Sequence, residues 1–436
     1  MLATLAVENY RSLRHLVLPL GRLNVVTGAN GTGKSNLYRA LRLLADSSRN
    51  GAVPALAREG GLPSTLWAGP EKTSQAVRAG EHPVQGTRRS GPVSLRLGFA
   101  GDEFGYAVDF GLPKPMPSAF SLDPEIKLEC TWSGPVLRPA AMLTDRRGGI
   151  VRIRDDDGTW LTMHNAVQSY DSMLSEFADP QVAPDLLLLR ERIRSWRFYD
   201  HVRTDAQAPA RATQIGTRTP VLGHDGADLA AALQTIREVG DVDALDAAID
   251  HAFPGSRVEV VSQGGRFDLL LHQHGLLRPL ASSELSDGTL RFLLWTAALL
   301  TPRPPALLVL NEPETSLHPD LLTPLAELVA TASVHTQVIV VTHSAALVQA
   351  LHSRDSDVRL KATEVLGRMG PDAKDSVPDL VRLLDDPEVA VRKAAARTLG
   401  RIGPAAKDAV SALMRSLLQP APQPPPPHAT SAVPAP

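Results

Sequence analysis

Residues Gly28 to Ser35 read GANGTGKS, directly behind the apolar run Leu23 to Val26 and ahead of Leu37 to Leu44. That order is strand, glycine-rich turn, helix, and Gly28, Gly33, Lys34 and Ser35 stand at the spacing of a phosphate-binding P-loop. Glycines let successive backbone N–H groups converge on phosphate oxygens, and the helix behind them aims its positive end at the same anion. The pattern places Gly28, Asn30, Gly31, Gly33 and Asn36 around a nucleotide, Lys34 at its β- and γ-phosphates and Ser35 as a Mg²⁺ ligand. An α/β fold is the expectation, and nucleotide binding is the first function it carries.

With 436 residues, two or three domains are expected. A formal net charge of -2 with 21% charged residues gives no global drive toward nucleic acid or a membrane surface. The single Cys130 excludes an intrachain disulfide framework and fits a reducing compartment. The N-terminus carries Glu8 and no sustained apolar core, so it does not read as a signal peptide. The most apolar region, Leu285 to Leu310, is broken at Thr301-Pro302-Arg303-Pro304-Pro305, too soon to span a bilayer. A cytoplasmic protein with no membrane partner is expected.

Ala3 to Asn9 alternates, and His15 to Leu20 and Leu23 to Val26 read as further short strands, a β-rich lobe ahead of the P-loop. Here Asn9-Tyr10-Arg11-Ser12-Leu13, then a strand, then GANGTGKSN resembles the N-terminal lobe of ABC-type ATPase heads of the SMC and RecF kind. The resemblance implies ATP as the nucleotide. Two readings stand for Arg11: it faces the nucleotide or DNA, or it is a solvated strand-end arginine. The Gly-, Ser-, Arg- and Pro-rich stretch from Ser47 to Ser90 reads as a loop closing the lobe. Such heads carry a Mg²⁺-sensing glutamine between lobes, for which Gln75 and Gln85 are both open, each also reading as a solvated surface residue. Val93 to Phe99 with Phe104 to Phe110, and Ile150 to Arg154 with Thr159 to Met163, are hairpins, and Asp155-Asp156-Asp157-Gly158 is a polar turn rather than a calcium loop.

Leu174 to Trp196 and Ala227 to His251 carry helical spacing, within an expected helical insert over residues 160–250. Arg190, Arg192, Arg194, Arg197, Arg203 and Arg211 interleave with Trp196, Phe198, Tyr199 and His201. Basic residues beside aromatics suit nucleic acid, but Glu191, Asp200 and Asp205 dilute the charge, and aromatics at this density belong to cores.

Val258 to Val261 and Phe267 to His272 read as strands, and Leu285-Ser286-Asp287-Gly288 then opens an apolar helix whose capped positive end suits a γ-phosphate. After a P-loop, Leu285 to Gly288 resembles the ABC signature. Since that signature reaches the nucleotide of a facing subunit, the resemblance implies a homodimer closed on ATP through Ser286 and Gly288. Ala306 to Leu310 is a buried parallel strand delivering Asn311-Glu312-Pro313-Glu314, similar to Walker B, with Glu312 as general base. Asn311 stands where the family carries an aspartate for Mg²⁺; its amide keeps an acceptor oxygen and loses the charge, which implies slow turnover. Thr315 to Asp320 fits the D-loop, and His343, after the strand Thr336 to Val341, fits the histidine that contacts the γ-phosphate. The order most resembles RecF-like and OLD-like ATPases and covers about residues 1 to 350.

Beyond residue 352 the pattern changes. Gly367-Arg368-Met369-Gly370-Pro371 recurs 33 residues on as Gly400-Arg401-Ile402-Gly403-Pro404, and Val377, Leu380, Leu383 and Leu384 sit on one apolar face. Residues 353–418 resemble short HEAT repeats, either a capping bundle or a docking surface for a protein partner, and the proline-rich 419–436 reads as a disordered tail. Function is therefore expected to be ATP hydrolysis driving a conformational switch in DNA maintenance or phage defence. The alternative is a weakly hydrolysing ATP-gated scaffold.

Overall fold

Alternating apolar residues at the start of the chain fold as β1 (Leu2–Tyr10) and β2 (Leu13–Pro19), paired antiparallel, and the run before the glycine-rich turn is β3 (Leu23–Val26). The structure is a computed structural model. It describes residues 1–28, 31–69, 94–114, 117–155, 157–164, 167–177, 180–200, 202–344, 360, 363, 366–367, 373, 376–386, 388–410 and 412–414. The chain divides into two compact units, residues 1–349 and 350–436.

The P-loop runs into α1 (Lys34–Asn50), which Gly51 ends at φ 80° while starting α2 (Ala52–Arg58); Gly60 and Gly61 then lead to α3 (Leu62–Thr65). The expected loop from Ser47 is thus helical over its first part. Ala52, Ala55, Leu56 and Leu62 are buried there, an apolar spacing masked in sequence by neighbouring Gly and Arg. Gln75 and Gln85 lie outside the described residues.

β4 (Leu95–Gly101), β5 (Phe104–Gly111), β6 (Glu125–Ser133), β7 (Met142–Arg147), β8 (Ile150–Arg154) and β9 (Trp160–Met163) extend an eight-stranded antiparallel sheet in the order β2-β1-β4-β5-β6-β7-β8-β9. Both expected hairpins are present. Asp155 closes the β8–β9 turn by accepting from the Thr159 N–H at 2.7 Å, while Asp156 lies outside the described residues.

α4 (Met173–Glu176) and α5 (Pro184–Ser195) replace the single helical run expected from Leu174, because Pro184 begins a new helix. β10 (Arg197–Tyr199) and β11 (Gln214–Ile215) follow, so the 160–250 span is not purely helical. α6 (Leu229–Val239) and α7 (Val242–Ala252) are split at Gly240 and Asp241, whose carboxylate caps α7 through the Ala244 N–H at 2.9 Å. β12 (Arg257–Gln263), β13 (Arg266–His272) and β14 (Leu280–Ala281) join β11 in a small antiparallel sheet. α8 (Asp287–Leu299), β15 (Leu307–Asn311), α9 (Leu322–Ala332) and β16 (Gln337–Val341) complete the unit, and β10-β15-β16-β3 is an all-parallel sheet.

One apolar core joins the eight-stranded sheet and the all-parallel sheet through α1: Leu37, Tyr38, Leu41 and Leu44 share it with Leu5 and Phe99 on one side and Val309 and Ile339 on the other. Gln337 ties the sheets at their rim, accepting from the Leu2 N–H at 2.8 Å and donating to the Leu2 and Gly21 carbonyls at 2.7 and 2.8 Å. In the second unit Val377 and Leu380 of α10 (Val377–Arg382) and Leu383 and Leu384 just after it are buried, as the apolar spacing predicted, and so are Val391 and Leu399 of α11 (Val389–Ile402). Ala362 and Val365 lie outside the described residues.

A buried charge cluster fixes the far side of the antiparallel sheet. Glu129 and Arg146 are both fully buried and paired at 2.9 Å, and Glu129 also accepts from the Tyr106 hydroxyl at 2.8 Å and the Met173 N–H at 2.9 Å. Removing one partner strands the other charge in a dry site. Arg146→Ala is therefore expected to lower the unfolding free energy of the first unit by about 3–5 kcal/mol, measured by urea denaturation.

Candidate functional site

Register in the parallel sheet decides what converges. Val26 pairs with Val341, and Val341 with Asn311, so the strands ahead of the P-loop, His343 and Glu312 all end at one level. Ligands collect at the carboxyl ends of such sheets.

Gly28, Gly31 and Gly33 have φ of 149°, 83° and 98°, and Gly33 starts α1 from the left-handed region. A side chain at Gly33 is strained by its φ, and its Cβ would displace the Ser12 Oγ now 2.6 Å from that position. Lys34 is 7% exposed and donates to the Gly28 carbonyl across the loop. Burial pushes its pKa below the usual lysine value, and the Glu312 carboxylate opposes that shift. Ser35 is exposed beside it, and the Asn36 amide donates to Ser12 Oγ at 2.8 Å. Asn30 lies outside the described residues.

At the end of β15 the chain turns through Glu312 at φ 47° and Ser316 at φ 65°, unusual for residues with a side chain. Such backbone costs on the order of 1–3 kcal/mol and persists only where neighbours enforce it. Here the Glu312 N–H donates to the Val341 carbonyl at 2.7 Å, and the Thr315 N–H to the Glu312 carbonyl at 3.1 Å. The turn aims Glu312 at His343, with His343 Nε2 3.1 Å from Glu312 Oε1 and both side chains about one-third to two-fifths exposed, at 36% and 40%. A carboxylate and an imidazole thus face open space beside a buried lysine, an arrangement able to orient a water and contact a terminal phosphate.

Sequence reasoning gave Glu314 no role. Its Oε1 accepts from the Thr342 hydroxyl at 2.5 Å and the His343 N–H at 3.0 Å, so it fixes the segment that carries the histidine. Its position two residues past Glu312 is a signal only once the turn's left-handed start is known. Two oxygens here are buried without a hydrogen-bond partner, Asn311 Oδ1 and Glu314 Oε2. Oxygen donors without a partner are the type that suits Mg²⁺. Among the described residues no group of three or more His, Cys, Asp or Glu is placed to hold a metal by itself, so phosphate oxygens would have to complete the shell.

Ser286 caps α8, accepting from the Thr289 N–H at 3.1 Å, and it is exposed. Gly288 packs under the turn after β15: a Cβ there would lie 2.7 Å from the Ser316 carbonyl. Arg211 sets the segment's shape, donating to the carbonyls of Ser282 and Leu285 at 3.1 and 2.7 Å and pairing with Asp287 at 2.8 Å. Sequence reasoning had grouped Arg211 with a candidate nucleic-acid stretch. Within that stretch Arg192 pairs with Glu103, Arg194 with Glu191 and Arg203 with Asp205, while Trp196, Phe198 and Tyr199 are buried and His201 lies outside the described residues. Arg11 is partly buried and pairs with Glu59. No described helix is long and apolar enough to cross a membrane.

Residues 23–122 and 165–349 match a family described as "AAA domain, putative AbiEii toxin, Type IV TA system". Residues 344–424 match HEAT repeats. No curated protein matches the chain. Among solved structures, an SMC head bound to the C-terminal winged-helix domain of ScpA is 13% identical, covering 78% of this chain and 89% of its own at a TM-score of 0.42. The SMC head domain from Thermotoga maritima is 15% identical, covering 79% and 90% at 0.34. The SMC head with an extended coiled coil derived from Pyrococcus furiosus, bound to the C-terminal domain of ScpA, is 12% identical, covering 79% and 90% at 0.39.

Glu314→Ala leaves the Thr342 hydroxyl and the His343 N–H without their acceptor. A loss of about 1–3 kcal/mol in stability is expected, read as a lower midpoint in thermal unfolding.

Proposed function

Since this chain belongs to the family described as "AAA domain, putative AbiEii toxin, Type IV TA system" and is a P-loop ATPase with HEAT repeats at its C-terminus, we propose that it binds Mg-ATP and hydrolyses it slowly between two copies of itself. Lys34 holds the β- and γ-phosphates, and Ser35 with Asn311 holds the metal, which neutralises phosphate charge. Glu312 orients the attacking water, and His343 contacts the γ-phosphate. Gly28, Asn30, Gly31, Gly33 and Asn36 line the phosphates, and Ser286 and Gly288 of a second copy close the site from the other side. The observation that supports this most is the 3.1 Å approach of His343 to Glu312, on strand ends in register with the P-loop strand.

The exposed Ser286 cap supports the closure by a second copy, since its helix end is open to an approaching phosphate. A role in DNA maintenance or phage defence rests on the resemblance alone, and the described arginines of the 190–211 stretch are engaged within the chain. A second reading, an ATP-gated scaffold that recruits a protein through its HEAT repeats, is favoured by Asn311: its buried oxygen is uncharged where a carboxylate would hold Mg²⁺ more tightly.

Steady-state hydrolysis by four chains separates the two. Lys34→Ala is expected to abolish turnover, and Glu312→Gln to lower it at least about 100-fold while keeping ATP bound. Light scattering should find Glu312→Gln dimeric with Mg-ATP and monomeric without it. Asn311→Asp is expected to raise turnover several-fold; an unchanged rate would show that residue 311 does not limit hydrolysis.

A further inference from the structure

The outer face of α1 borders a cavity of about 630 Å³ that has no part in the ATP site described above. Arg39, Arg42 and Arg49 line it from α1, three or seven residues apart and so on one side of the helix, and Arg11 and Arg58 complete five guanidinium groups against the carboxylates of Asp46, Glu59 and Asp200. Much of the balancing charge is already committed. Arg11 pairs with Glu59, Arg42 with Asp200, and Arg58 with Asp46 at 3.6 Å. Arg49 donates to the carbonyls of Arg194 and Trp196 at 2.7 and 3.1 Å, at the end of α5. Among the described residues Arg39 makes no ion pair.

Positive charge therefore exceeds negative on a concave wall. Its effect reaches the neighbours. Burial chiefly, and then the guanidinium groups of Arg197, Arg194 and Arg42, disfavour the charged form of Arg49, with Asp46 opposing. Burial also lowers the pKa of His224, which lines the same cavity, and Arg197, Arg49 and Arg42 add to that effect against the hydrogen bond between its Nδ1 and the Phe198 carbonyl at 3.0 Å. An anion entering the cavity would relieve this repulsion. Guanidinium forks match phosphate oxygens two at a time, and the volume falls in the range of about 300–1,000 Å³ that small-molecule sites occupy.

We propose that this cavity is a second anion site, separate from the P-loop, that binds a small ligand carrying a chain of phosphates. The ligand is inorganic polyphosphate or a nucleoside polyphosphate. Its phosphates lie between Arg39, which makes no ion pair among the described residues, and Arg58, whose approach to Asp46 is long at 3.6 Å, with Arg42 and Arg49 beside them.

Isothermal titration of the full-length Lys34→Ala chain with sodium triphosphate tests this with the P-loop disabled. Saturable binding of one triphosphate per chain is expected, weakened at least about tenfold when Arg39→Glu and Arg58→Glu are added. Thermal unfolding of the triple variant should match that of Lys34→Ala; if it does not, Arg39→Gln alone replaces the pair and should weaken binding in the same direction. A non-hydrolysable ATP analogue that displaces triphosphate from Lys34→Ala identifies a nucleoside source, and failure to displace it identifies the inorganic one. Absence of binding by Lys34→Ala, binding indifferent to the arginine substitutions, or tighter binding of a 5′-phosphorylated oligonucleotide than of triphosphate would each overturn the proposal. Failure here leaves hydrolysis at the P-loop untouched, because the titration reads triphosphate binding in a chain whose P-loop is already disabled.

Discussion

Parallel pairing of three short strands is the constraint on which the rest of the first unit depends. Val26, Val341 and Asn311 stand side by side, so the segments after them leave the sheet at the same level although the first and last are separated by most of the chain. A slip of one residue in either pairing would turn every side chain to the other face of the sheet. The Glu312 N–H bond to the Val341 carbonyl locks one of these pairings one residue beyond the strand, and the Gln337 amide locks the other end of β16 to the antiparallel sheet. The left-handed backbone of Glu312 is tolerable because that lock exists, and it is also what swings the carboxylate toward His343.

Charge in the site is arranged around a deficit. Lys34 is buried, and burial disfavours its charge, so the ammonium gains most from an anion placed beside it. Asn311 supplies an oxygen without a charge, and the second buried oxygen without a partner belongs to Glu314, whose other oxygen holds the His343 segment. One carboxylate thus holds the segment that carries the histidine while its other oxygen stays unpartnered.

The parts of the fold that sequence made legible are those written in local periodicity. Leu23 to Val26 before the glycines, the alternation in β4 and β5, and the apolar run of β15 each carry their own burial pattern, and all three form as expected. The repeat at Gly367 and Gly400 likewise marks the HEAT segment. What sequence hid depends on tertiary partners. α2 and α3 follow glycines in a stretch with loop composition and gain their stability from burying Leu56 and Leu62. Arg211 looked like one more basic residue beside aromatics, yet it holds the carbonyls ahead of α8, a role that appears only when two segments distant in sequence are side by side. Arg11 is similar: its partner Glu59 belongs to the helical stretch that sequence read as loop.

The proposed second copy connects these parts, because the segment held by Arg211 leaves Ser286 exposed. Mixing two inactive chains tests that idea directly. Lys34→Ala disables the P-loop and Ser286→Arg blocks the signature end, and each alone should fail to hydrolyse ATP. Combined in equal amounts they should regain hydrolysis, since a mixed pair restores one site from the intact P-loop of one chain and the intact signature of the other. A mixture that stays inactive, or a Ser286→Arg chain that is fully active alone, would contradict a site shared between two copies.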